Sequence, residues 1–487
     1  MKGKWLRLLA PMALMLLLTG CLFRPPDDLY KLPDVPADYE RLTAAIKNVR
    51  SGLELEYATS TDVALIISGD NTATIQLQDL DGDGQRESAV TFLKVPGVEK
   101  SLKIYIFTQE GEDYKVTGVV EGDGTAIYSV DYVDLNGSGT KELVVSWQIA
   151  TGVYQLGAYT LDDLECSAAG TAGKAVSGER SELLATQLLL TSCSGGTDGT
   201  SVTSGYRLLD FDQDTRTEIA VARIDSGGLN SMLEVYGWKD GAFISLDSVS
   251  LSAGVVSLSR IRSNYLQGEL SPPALYVSST LADGRRVVDV VAYQKVEGQT
   301  EKDLVNLSLD DTGVSREILQ SYADVGLTDI NDDTVMEIPA PTPLPTYGGE
   351  GQTINFWLID WVQYGEAGQR RYVMTTYHNV NDSWYLEIPE SWRDKITISR
   401  NDQVSGQREV IFSLWRGEEE PQAFLSIYRL TGSNRANAVT RGSRFILREE
   451  ESVIYAAQFY DIGWDCGLDE TDLLNSFKTI QTSWNSE

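Results

Sequence analysis

The chain has 487 residues, of which 42% are hydrophobic, so it is long and apolar enough to bury a large core. Its 40 lysine and arginine residues against 71 aspartate and glutamate residues give a formal charge of 40 − 71 = −31. A charge of this size repels phosphate backbones, which argues against a nucleic-acid partner. The single histidine, His378, argues against a Ser-His triad, a multi-histidine zinc site and histidine-based acid–base chemistry.

The first 21 residues have the pattern of a secretion signal. Three basic residues precede a short apolar run, and the sequence LTGC, which ends at Cys21, closes the segment. The apolar run is shorter than the roughly 20 residues that span a bilayer. We therefore predict a signal peptide over residues 1–20, followed by a proline-rich, extended tether over residues 21–36.

The LTGC ending resembles the lipobox of bacterial lipoproteins. The resemblance implies cleavage before Cys21 and attachment of diacylglycerol to its sulfur. Two or more acyl chains, such as palmitate, are enough for stable anchoring to the outer face of a membrane. We therefore expect a lipid-anchored protein at the extracytoplasmic face of the cell membrane. The alternative is a cleaved signal peptide after which Cys21 stays unmodified.

Three further cysteines, Cys166, Cys193 and Cys466, are present in the exported part of the chain. Cys166 and Cys193 flank a stretch rich in glycine, alanine and serine, and in an oxidising compartment they are a candidate disulfide. The alternative interpretation is that all three are buried thiols that pack as small apolar side chains.

A recurring nine-residue pattern is the most informative feature of the sequence. Its consensus is D-Φ-[DN]-x-[DS]-[GT]-x-x-E, in which Φ is apolar. Four clear copies, named loops 1 to 4, occupy residues 79–87, 134–142, 210–218 and 329–337. A weaker copy, loop 5, occupies residues 401–409, and the weakest begins near Asn264. Each clear copy lies between two apolar or β-branched runs, which predicts a turn between two strands.

The spacing of these loops predicts the fold class. Their mean separation is (401 − 79)/5, or about 64 residues, which is enough for one antiparallel sheet of four short strands. Radial repetition of such sheets hides their edges, so we predict an all-β fold and, within it, a β-propeller. A β-helix is disfavoured because its coils are shorter.

We place the propeller at residues 53–470 and expect seven blades, with six as the alternative. In this prediction, strands 53–58 and 63–68 complete the sheet formed by strands 444–448 and 453–460, so that both chain ends close the ring. Apolar residues at helical spacing predict an N-terminal helix over residues 37–52 and a C-terminal helix or tail over residues 471–487.

The nine-residue loops resemble the FG-GAP and VCBS repeats of integrin-like propellers and of bacterial surface proteins. In that family the loop binds calcium through side chains at positions one, three, five and nine and through the carbonyl oxygen at position seven. The resemblance implies calcium ligands at Asp79, Asp81, Asp83, Gln85, Glu87, Asp134, Asn136, Ser138, Thr140, Glu142, Asp210, Asp212, Asp214, Arg216, Glu218, Asp329, Asn331, Asp333, Val335 and Glu337. Loop 3 departs from the pattern by placing Thr215 where the family has glycine. Loop 5 replaces both leading aspartates with Asn401 and Gln403, which argues against a metal there.

Calcium also suits these residues on chemical grounds. It takes six to eight oxygen ligands at about 2.3–2.6 Å, and alternating acidic residues on a tight turn can direct their carboxylates at one centre. An EF-hand is excluded because its glutamate is at position twelve and its flanks are helices. The alternative is a hairpin turn whose aspartates cap the loop's own backbone and bind nothing.

The sequence predicts a non-catalytic binding module for a protein or glycan ligand, with calcium stiffening the blades. It contains no phosphate-binding loop, no Gly-x-Ser-x-Gly and no Cys-x-x-Cys motif. Two alternatives stay open. One is a propeller enzyme, a lyase or hydrolase that acts on extracellular polysaccharide, and the other is a structural component of the cell envelope.

Overall fold

The computed structural model describes residues 37–161, 184–197, 202–267, 271–295, 302–319, 325–345, 347, 356–417 and 419–481. These residues form mainly antiparallel β-sheet with a few short helical segments, which confirms the predicted all-β class. Within the same ranges, no helix is both long enough and apolar enough to cross a membrane. The predicted signal peptide, Cys21 and the tether lie outside the described residues.

Helix α1 (Ala37–Tyr57) precedes the sheets and packs against the first of them. Leu42, Ile46 and Leu53 lie on its buried face, whereas Leu55 is 87% exposed. The helix therefore extends five residues beyond the predicted end at residue 52, and the strand predicted at 53–58 is wrong. The run LELEY alternates in polarity, as a strand does, yet a helix that starts upstream carries Leu53 onto its apolar face.

Two four- to five-stranded sheets follow, with strands β1 (Asp62–Val63), β2 (Ile75–Gln78), β3 (Ser88–Lys94), β4 (Leu102–Glu110), β5 (Asp113–Gly122), β6 (Ala126–Val133), β7 (Glu142–Ala150), β8 (Val153–Thr160) and β9 (Thr186–Ser194). In sheet 1 the strand order is β1-β3-β4-β5, and β2 also pairs with β3. Sheet 2 has the sequential order β6-β7-β8-β9.

The next two sheets contain β10 (Gly196–Thr197), β11 (Val202–Thr203), β12 (Tyr206–Leu209), β13 (Glu218–Arg223), β14 (Met232–Lys239), β15 (Ala242–Ser250), β16 (Val255–Tyr265), β17 (Pro273–Leu281), β18 (Arg286–Lys295), β19 (Lys302–Asn306) and β20 (Ile318–Leu319). Sheet 3 has the order β12-β13-β14-β15. Sheet 4 has the order β11-β10-β16-β17-β18-β19, with β20 also on β18. Strands β10 and β11 therefore reach the edge of sheet 4 before the chain builds sheet 3.

The last two sheets contain β21 (Ile338–Pro343), β22 (Trp357–Tyr364), β23 (Arg370–Asn379), β24 (Trp384–Glu387), β25 (Ile396–Asn401), β26 (Gln407–Leu414), β27 (Gln422–Thr431), β28 (Phe445–Glu449), β29 (Val453–Phe459) and β30 (Phe477–Thr479). Sheet 5 has the order β21-β22-β23-β24-β30, and sheet 6 the order β25-β26-β27-β29-β28. Helices α2 (Arg435–Val439) and α3 (Glu470–Ser476) lie in the same region.

Each sheet packs on the next one in chain order through a cluster of buried apolar side chains. Each of these five clusters contains a large aromatic residue. In chain order of the sheets, these are Trp147, Tyr154, Tyr293, Tyr364 and Trp384. Since burial of a large apolar side chain contributes about 1.5–3 kcal/mol, these contacts between sheets supply much of the driving force for folding.

The two ends of this row of sheets are covered by helices. Helix α1 packs on the face of sheet 1 that is turned away from sheet 2, and Ala438 of α2 packs on the corresponding face of sheet 6. Among the described residues, no cluster of buried apolar side chains joins sheet 6 to sheet 1.

The predicted closure of a ring by both chain ends is therefore wrong. Ala64 donates its main-chain N–H to Phe92 at 3.0 Å, and Ile67 donates to Ile127 at 3.1 Å, so residues 63–68 lie along sheets 1 and 2. Strands β28 and β29 pair with each other and with β27 inside sheet 6. The described residues thus form six sheets, and the seventh that we expected from the chain ends is not among them.

The C-terminal helix is shorter than predicted. Helix α3 begins with a capping box in which Asp469 and Asp472 exchange side-chain to backbone hydrogen bonds. It ends at Ser476, and the chain continues as β30, which pairs with β24 of sheet 5. Residues 482–487 of the predicted tail lie outside the described ranges.

Candidate metal centres

The nine-residue loops lie at equivalent positions in five of the six sheets. Loop 1 joins β2 to β3, loop 2 joins β6 to β7, loop 3 joins β12 to β13, loop 4 leads into β21, and loop 5 joins β25 to β26. This confirms the predicted turn between strands for loops 1, 2, 3 and 5, whereas loop 4 is closed by a single bridge between Thr328 and Glu337 before β21 begins. The weakest copy follows β16 in sheet 4, and its Glu269 lies outside the described residues.

Loops 1 to 4 share one pattern of hydrogen bonds. In each, a carboxylate oxygen of the aspartate at position one accepts the main-chain N–H of position six. The four pairs and their N–O distances are Asp79 and Gly84 at 3.1 Å, Asp134 and Gly139 at 2.9 Å, Asp210 and Thr215 at 3.0 Å, and Asp329 and Thr334 at 2.7 Å. Position three likewise accepts the N–H of position five, and position five that of position seven. Four sequences that differ at most positions therefore fold into the same turn.

Positions four and six of these loops have left-handed backbone conformations. Their φ angles lie between +60° and +91° at Gly82, Gly84, Gly137, Gly139, Gln213, Thr215, Asp332 and Thr334. Glycine suits this conformation, but the β-branched Thr215 and Thr334 adopt it at a cost of about 1–2 kcal/mol. In both loops the main-chain N–H of this threonine donates to the aspartate at position one, which stabilises the turn without glycine.

In loop 1, four carboxylates converge. Asp79, Asp81, Asp83 and Glu87 each offer one oxygen, and these four oxygens lie within 4.8 Å of one another. No lysine or arginine of the described residues forms an ion pair with this group. The Oε2 atom of Glu87 is buried and has no hydrogen-bond partner. Burial raises the pKa of Glu87, and the three aspartates raise it further.

An unpaired, buried carboxylate oxygen among three like charges is unfavourable without a cation. The donors in loop 1 are all hard oxygen atoms, which suit Ca²⁺ or Mg²⁺ and not a soft metal. Its residues therefore fit a cation site, and the N–H contacts to Asp79, Asp81 and Asp83 hold the turn in the shape that brings the oxygens together.

Loop 3 has the same character. Oxygen atoms of Asp210, Asp212 and Glu218 lie within 4.8 Å of one another, and Oδ1 of Asp210 is buried without a partner. Oε2 of Glu218 accepts the N–H of Phe211 at 2.7 Å. Burial raises the pKa of Glu218 to about 8, and the neighbouring aspartates raise it in the same direction.

Loop 4 brings together Asp329, Asp333 and Glu337, also within 4.8 Å. Burial, followed by the charges of Asp333 and Asp329, raises the pKa of Glu337 to about 7. Here, however, neighbouring amides already contact the carboxylates. Gln363 on β22 donates to Glu337 at 2.9 Å, and Asn331 donates to Asp333 at 2.9 Å.

In loop 2 the position-nine glutamate is fully buried and fully hydrogen-bonded. Glu142 accepts the N–H of Leu135 at 2.7 Å, the amide of Asn136 at 2.8 Å and the hydroxyl of Thr160 at 3.2 Å. The hydroxyl groups of Ser138, at position five, and Thr140 form a hydrogen bond of 2.7 Å. With two carboxylates instead of four, loop 2 is a weaker cation site than loop 1.

Loop 5 differs from the other four loops. Asn401 donates its amide to Glu409 at 3.0 Å, so an N–H group occupies the place that a cation would take. Gly406 at position six has a φ of +77°, but position four, Val404, is not left-handed. With Asn401 and Gln403 at positions one and three, loop 5 has fewer carboxylates than loop 1, and its lack of a metal stays a prediction.

The position-seven carbonyls of Gln85, Thr140, Arg216 and Val335 stay predicted ligands. The main-chain N–H groups of these four residues donate to the side-chain oxygen at position five of the same loop. Sequence reasoning missed three residues that come from outside the loops, namely Gln363 on Glu337, Thr160 on Glu142, and Lys302, whose ammonium group contacts the main-chain oxygen of Asp212 at 3.3 Å. Each lies far from its partner in sequence and carries no motif, so no local signal could have identified it.

Loops 1, 2 and 3 lie side by side. Lys141 in loop 2 donates its main-chain N–H to Leu80 in loop 1 at 2.7 Å. A Cβ atom built on Gly137 of loop 2 would lie 3.3 Å from Nε of Arg216 in loop 3. The candidate sites of loops 1, 2 and 3 therefore lie next to one another on three adjacent sheets.

The histidine and the cysteines have packing roles. His378 stacks on Tyr385 with ring centroids 5.0 Å apart, and burial lowers its pKa to about 3, so it is a neutral core residue. Cys193 is buried and packs between sheets 2 and 3, and its predicted disulfide with Cys166 stays a prediction. Its proposed partner, Cys166, lies outside the described residues, and Cys466 is also a buried free thiol.

Comparisons with known proteins give no family for this chain. No family model matches it, and no curated protein matches it. Among solved structures, it is similar to the exotype rhamnogalacturonan lyase YesX at 12% identity, with a TM-score of 0.26, over 75% of this chain and 74% of that chain. A rhamnogalacturonan lyase of Bacillus licheniformis has the same identity and TM-score, over 74% of this chain and 76% of the other. Similarity at this level defines neither the family nor the activity of the chain.

Proposed function

We propose that the protein is a non-catalytic binding module, built on a propeller-type array of sheets whose nine-residue loops hold calcium, and anchored to the extracytoplasmic face of a membrane through Cys21. The calcium assignment depends on the convergence of four carboxylate oxygens within 4.8 Å in loop 1. One of these four residues, Glu87, has a buried oxygen without a hydrogen-bond partner.

Calcium is favoured over magnesium by the donor set. Magnesium demands near-ideal octahedral geometry and keeps several waters, whereas calcium accepts six to eight oxygens in a flexible shell. Loop 1 supplies four carboxylates, and a carbonyl at Gln85 would add a fifth residue to the shell. When bound, calcium supplies positive charge that offsets repulsion among the carboxylates, and this chain's own residues hold the turn that presents them.

The four loops differ in how ready they are for a cation. Loops 1 and 3 each contain a buried carboxylate oxygen that lacks a partner, at Glu87 and Asp210. In loops 2 and 4 the amides of Asn136 and Gln363 already hydrogen-bond to the position-nine glutamates. Loops 1 and 3 are therefore proposed as the tighter sites, and loops 2 and 4 as the weaker ones.

The proposal of a non-catalytic role is supported by the state of the residues that most often perform covalent or acid–base chemistry. His378 is buried and neutral, and both cysteines in the described residues are buried thiols with pKa values raised by burial. The anchoring proposal depends on the LTGC sequence at Cys21, for which the described residues provide no test.

Metal analysis of the purified full chain tests this function directly. The protein is dialysed against calcium and then against metal-free buffer. We expect it to retain about two calcium ions per chain, held by loops 1 and 3, and elemental analysis to detect them. A chain that retains zinc or a transition metal in place of calcium, or no metal at all, would contradict the proposal.

A further inference from the structure

A cavity of about 780 Å³ opens beside loop 3, between the β14–β15 hairpin of sheet 3 and strands β18 and β19 of sheet 4. Its size falls in the range of about 300–1,000 Å³ that is typical of ligand sites. Asp212 and Asp214 of loop 3 form one wall, and Trp238 and Tyr293 contribute aromatic surface. The cavity thus combines an aromatic side chain with polar groups next to a candidate metal centre.

Trp238 is held next to loop 3 by direct contacts. It is half-buried near the tip of the hairpin, and its main-chain oxygen accepts a hydrogen bond from the guanidinium group of Arg216 at 3.3 Å. The same guanidinium group lies 3.7 Å from the carboxylate of Asp214. Arg216 therefore connects the loop that would hold the cation with the strand that carries the aromatic ring.

Sheet 4 closes the other side. Lys302 at the start of β19 contacts the main-chain oxygen of Asp212 at 3.3 Å and the side chain of Gln213 at 3.2 Å. Asp247 on β15 accepts the N–H of Leu304 on β19 at 3.2 Å. These contacts fix the distance between the two walls, so the cavity is preformed.

The charges around the cavity indicate the kind of ligand. Five aspartates and three basic residues line it, which gives −5 + 3 = −2. A divalent cation in loop 3 adds two positive charges, but its other two ligands, Asp210 and Glu218, add two negative charges, so the net charge stays negative. A mildly acidic cavity disfavours an acidic ligand, and its hydrogen-bonding groups and aromatic surface suit a neutral, polyhydroxylated ligand, because sugar rings present hydroxyl groups at their edge and C–H groups on their face.

We infer that this cavity, here named the Trp238 cleft and lined by Trp238, Tyr293, Asp240, Asp247, Lys302 and loop 3, binds a neutral saccharide, with Trp238 as the stacking surface and the aspartates as acceptors for hydroxyl groups. This inference rests on the proposed function, since it names the ligand class of the binding module. Trp238 is a binding residue in this account, and Arg216 positions it.

The test is isothermal titration of the detergent-purified full chain with three neutral hexasaccharides, built from glucose, mannose and galactose, in saturating calcium. We expect at least one to bind, and Trp238→Ala to weaken it about ten-fold through loss of the stacking surface. Asp240→Asn, which keeps a residue that tolerates the φ of +53° at this exposed position, should weaken binding several-fold. If Trp238→Ala melts at a lower temperature than the unsubstituted chain, the affinity of Asp240→Asn decides whether the cleft binds the hexasaccharide.

Tyr39→Ala is the matched control, because Tyr39 is an aromatic residue of helix α1, is 53% exposed and lies outside the cleft. It should leave the affinity unchanged. A titration with calcium alone, run first, separates the two claims. Absence of calcium binding would overturn the proposed function, whereas calcium binding without binding of any hexasaccharide would overturn only the inference about the cleft.

Three other results would also overturn the inference about the Trp238 cleft. The first is that the Trp238→Ala and unsubstituted chains bind the same hexasaccharide with equal affinity. The second is that a polyuronic acid hexamer binds and the neutral hexasaccharides do not, and the third is that only a lysine-rich peptide binds. The last two would assign the cleft to an acidic glycan or to a protein partner.

Discussion

The backbone of Gly82 in loop 1 lies directly against the carbonyl group of Gly139 in loop 2. A Cβ atom built on Gly82 would lie 2.1 Å from the carbonyl oxygen of Gly139, which is far inside van der Waals contact. Gly82 also has a φ of +76°. Two neighbouring candidate metal centres are therefore in backbone contact.

Substitution of Gly82 should disturb both loops. For Gly82→Ala we expect a loss in the free energy of unfolding of about 3 kcal/mol, because a left-handed alanine costs about 1–2 kcal/mol and the Gly139 carbonyl must also move. Gly84→Ala is the matched control, since Gly84 has a φ of +90° but no atom within 4 Å of an added Cβ. Denaturant unfolding measures both. Equal losses for the two variants would show that the contact with Gly139 has no energetic weight.

Removal of two loop 1 carboxylates should abolish the stabilisation that calcium gives through this loop. A ligand that binds only the folded state stabilises it by about 2.7 kcal/mol at one hundred times its dissociation constant. We therefore expect the combined variant Asp81→Ala with Asp83→Ala to lose about this much of the calcium-induced stabilisation. In chelator the variant loses both the repulsion among the carboxylates and the N–H contacts to Asp81 and Asp83, so the readout is its response to calcium and not its absolute melting temperature.

The matched control changes the same two positions in loop 5, as Gln403→Ala with Ser405→Ala. Loop 5 has Asn401 hydrogen-bonded to Glu409 in place of a cation site, so this pair should leave the calcium response unchanged. Thermal melts with calcium and with chelator compare the two. If the loop 1 variant responds to calcium as fully as the control, loop 1 does not bind the ion.

Stability of the metal-free protein should fall as pH rises. Burial raises the pKa of Glu218 to about 8 and that of Glu337 to about 7, above the value of about 4.3 for an unfolded glutamate. The folded state therefore holds protons that the unfolded state releases, so this part of the stability is complete below about pH 4 and is lost as pH rises through 7 to 8. Glu218 faces Asp210, Asp212 and Asp214, and their charges act in the same direction.

The melting temperature in chelator, followed from about pH 5 to about pH 9, measures this effect. Glu218→Gln should reduce the slope, because the variant does not titrate. Saturating calcium should also reduce it, since the cation favours the ionised carboxylates. A melting temperature that rises over this range in chelator would contradict the assignment of protonated glutamates to the metal-free loops.

The anchor is tested at Cys21. Cys21→Ala removes the sulfur that would carry the lipid, so the full chain expressed in a bacterium should leave the membrane fraction or accumulate as an uncleaved precursor. Fractionation of cells followed by mass analysis of the N-terminus checks this. Membrane retention of a cleaved form without lipid would contradict the lipoprotein proposal.

Much of the local architecture could be predicted from the sequence. The register D-Φ-[DN]-x-[DS]-[GT]-x-x-E placed Asp79, Asp134, Asp210 and Asp329 at the start of equivalent turns, because spacing within nine residues fixes which side chains meet. The departure of loop 5 from the pattern could also be predicted from local sequence, because Asn401 replaces the leading aspartate. These features depend on neighbours in sequence, for which turn chemistry is informative.

The features that were missed depend on contacts between distant residues. Leu53 alternates with polar residues as a strand does, but its state is decided by a helix that starts sixteen residues earlier at Ala37 and packs on sheet 1. The ring closure failed for the same reason, since β29 pairs with β27 and not with the N-terminal segment. Gln363 on Glu337 and Gly82 on Gly139 join residues 26 and 57 positions apart, and no local pattern announces such contacts.

Calorimetric titration of the metal-free full chain with calcium tests the central claim most directly, because it asks whether converging carboxylates in the loops bind the ion at all. We expect a saturable heat with two tighter sites, a melting temperature that falls in chelator and recovers with calcium, and a poorer recovery with magnesium. If calcium gives no heat of binding and chelator leaves melting unchanged, the nine-residue loops are turns that cap their own backbone, and the metal centres do not exist.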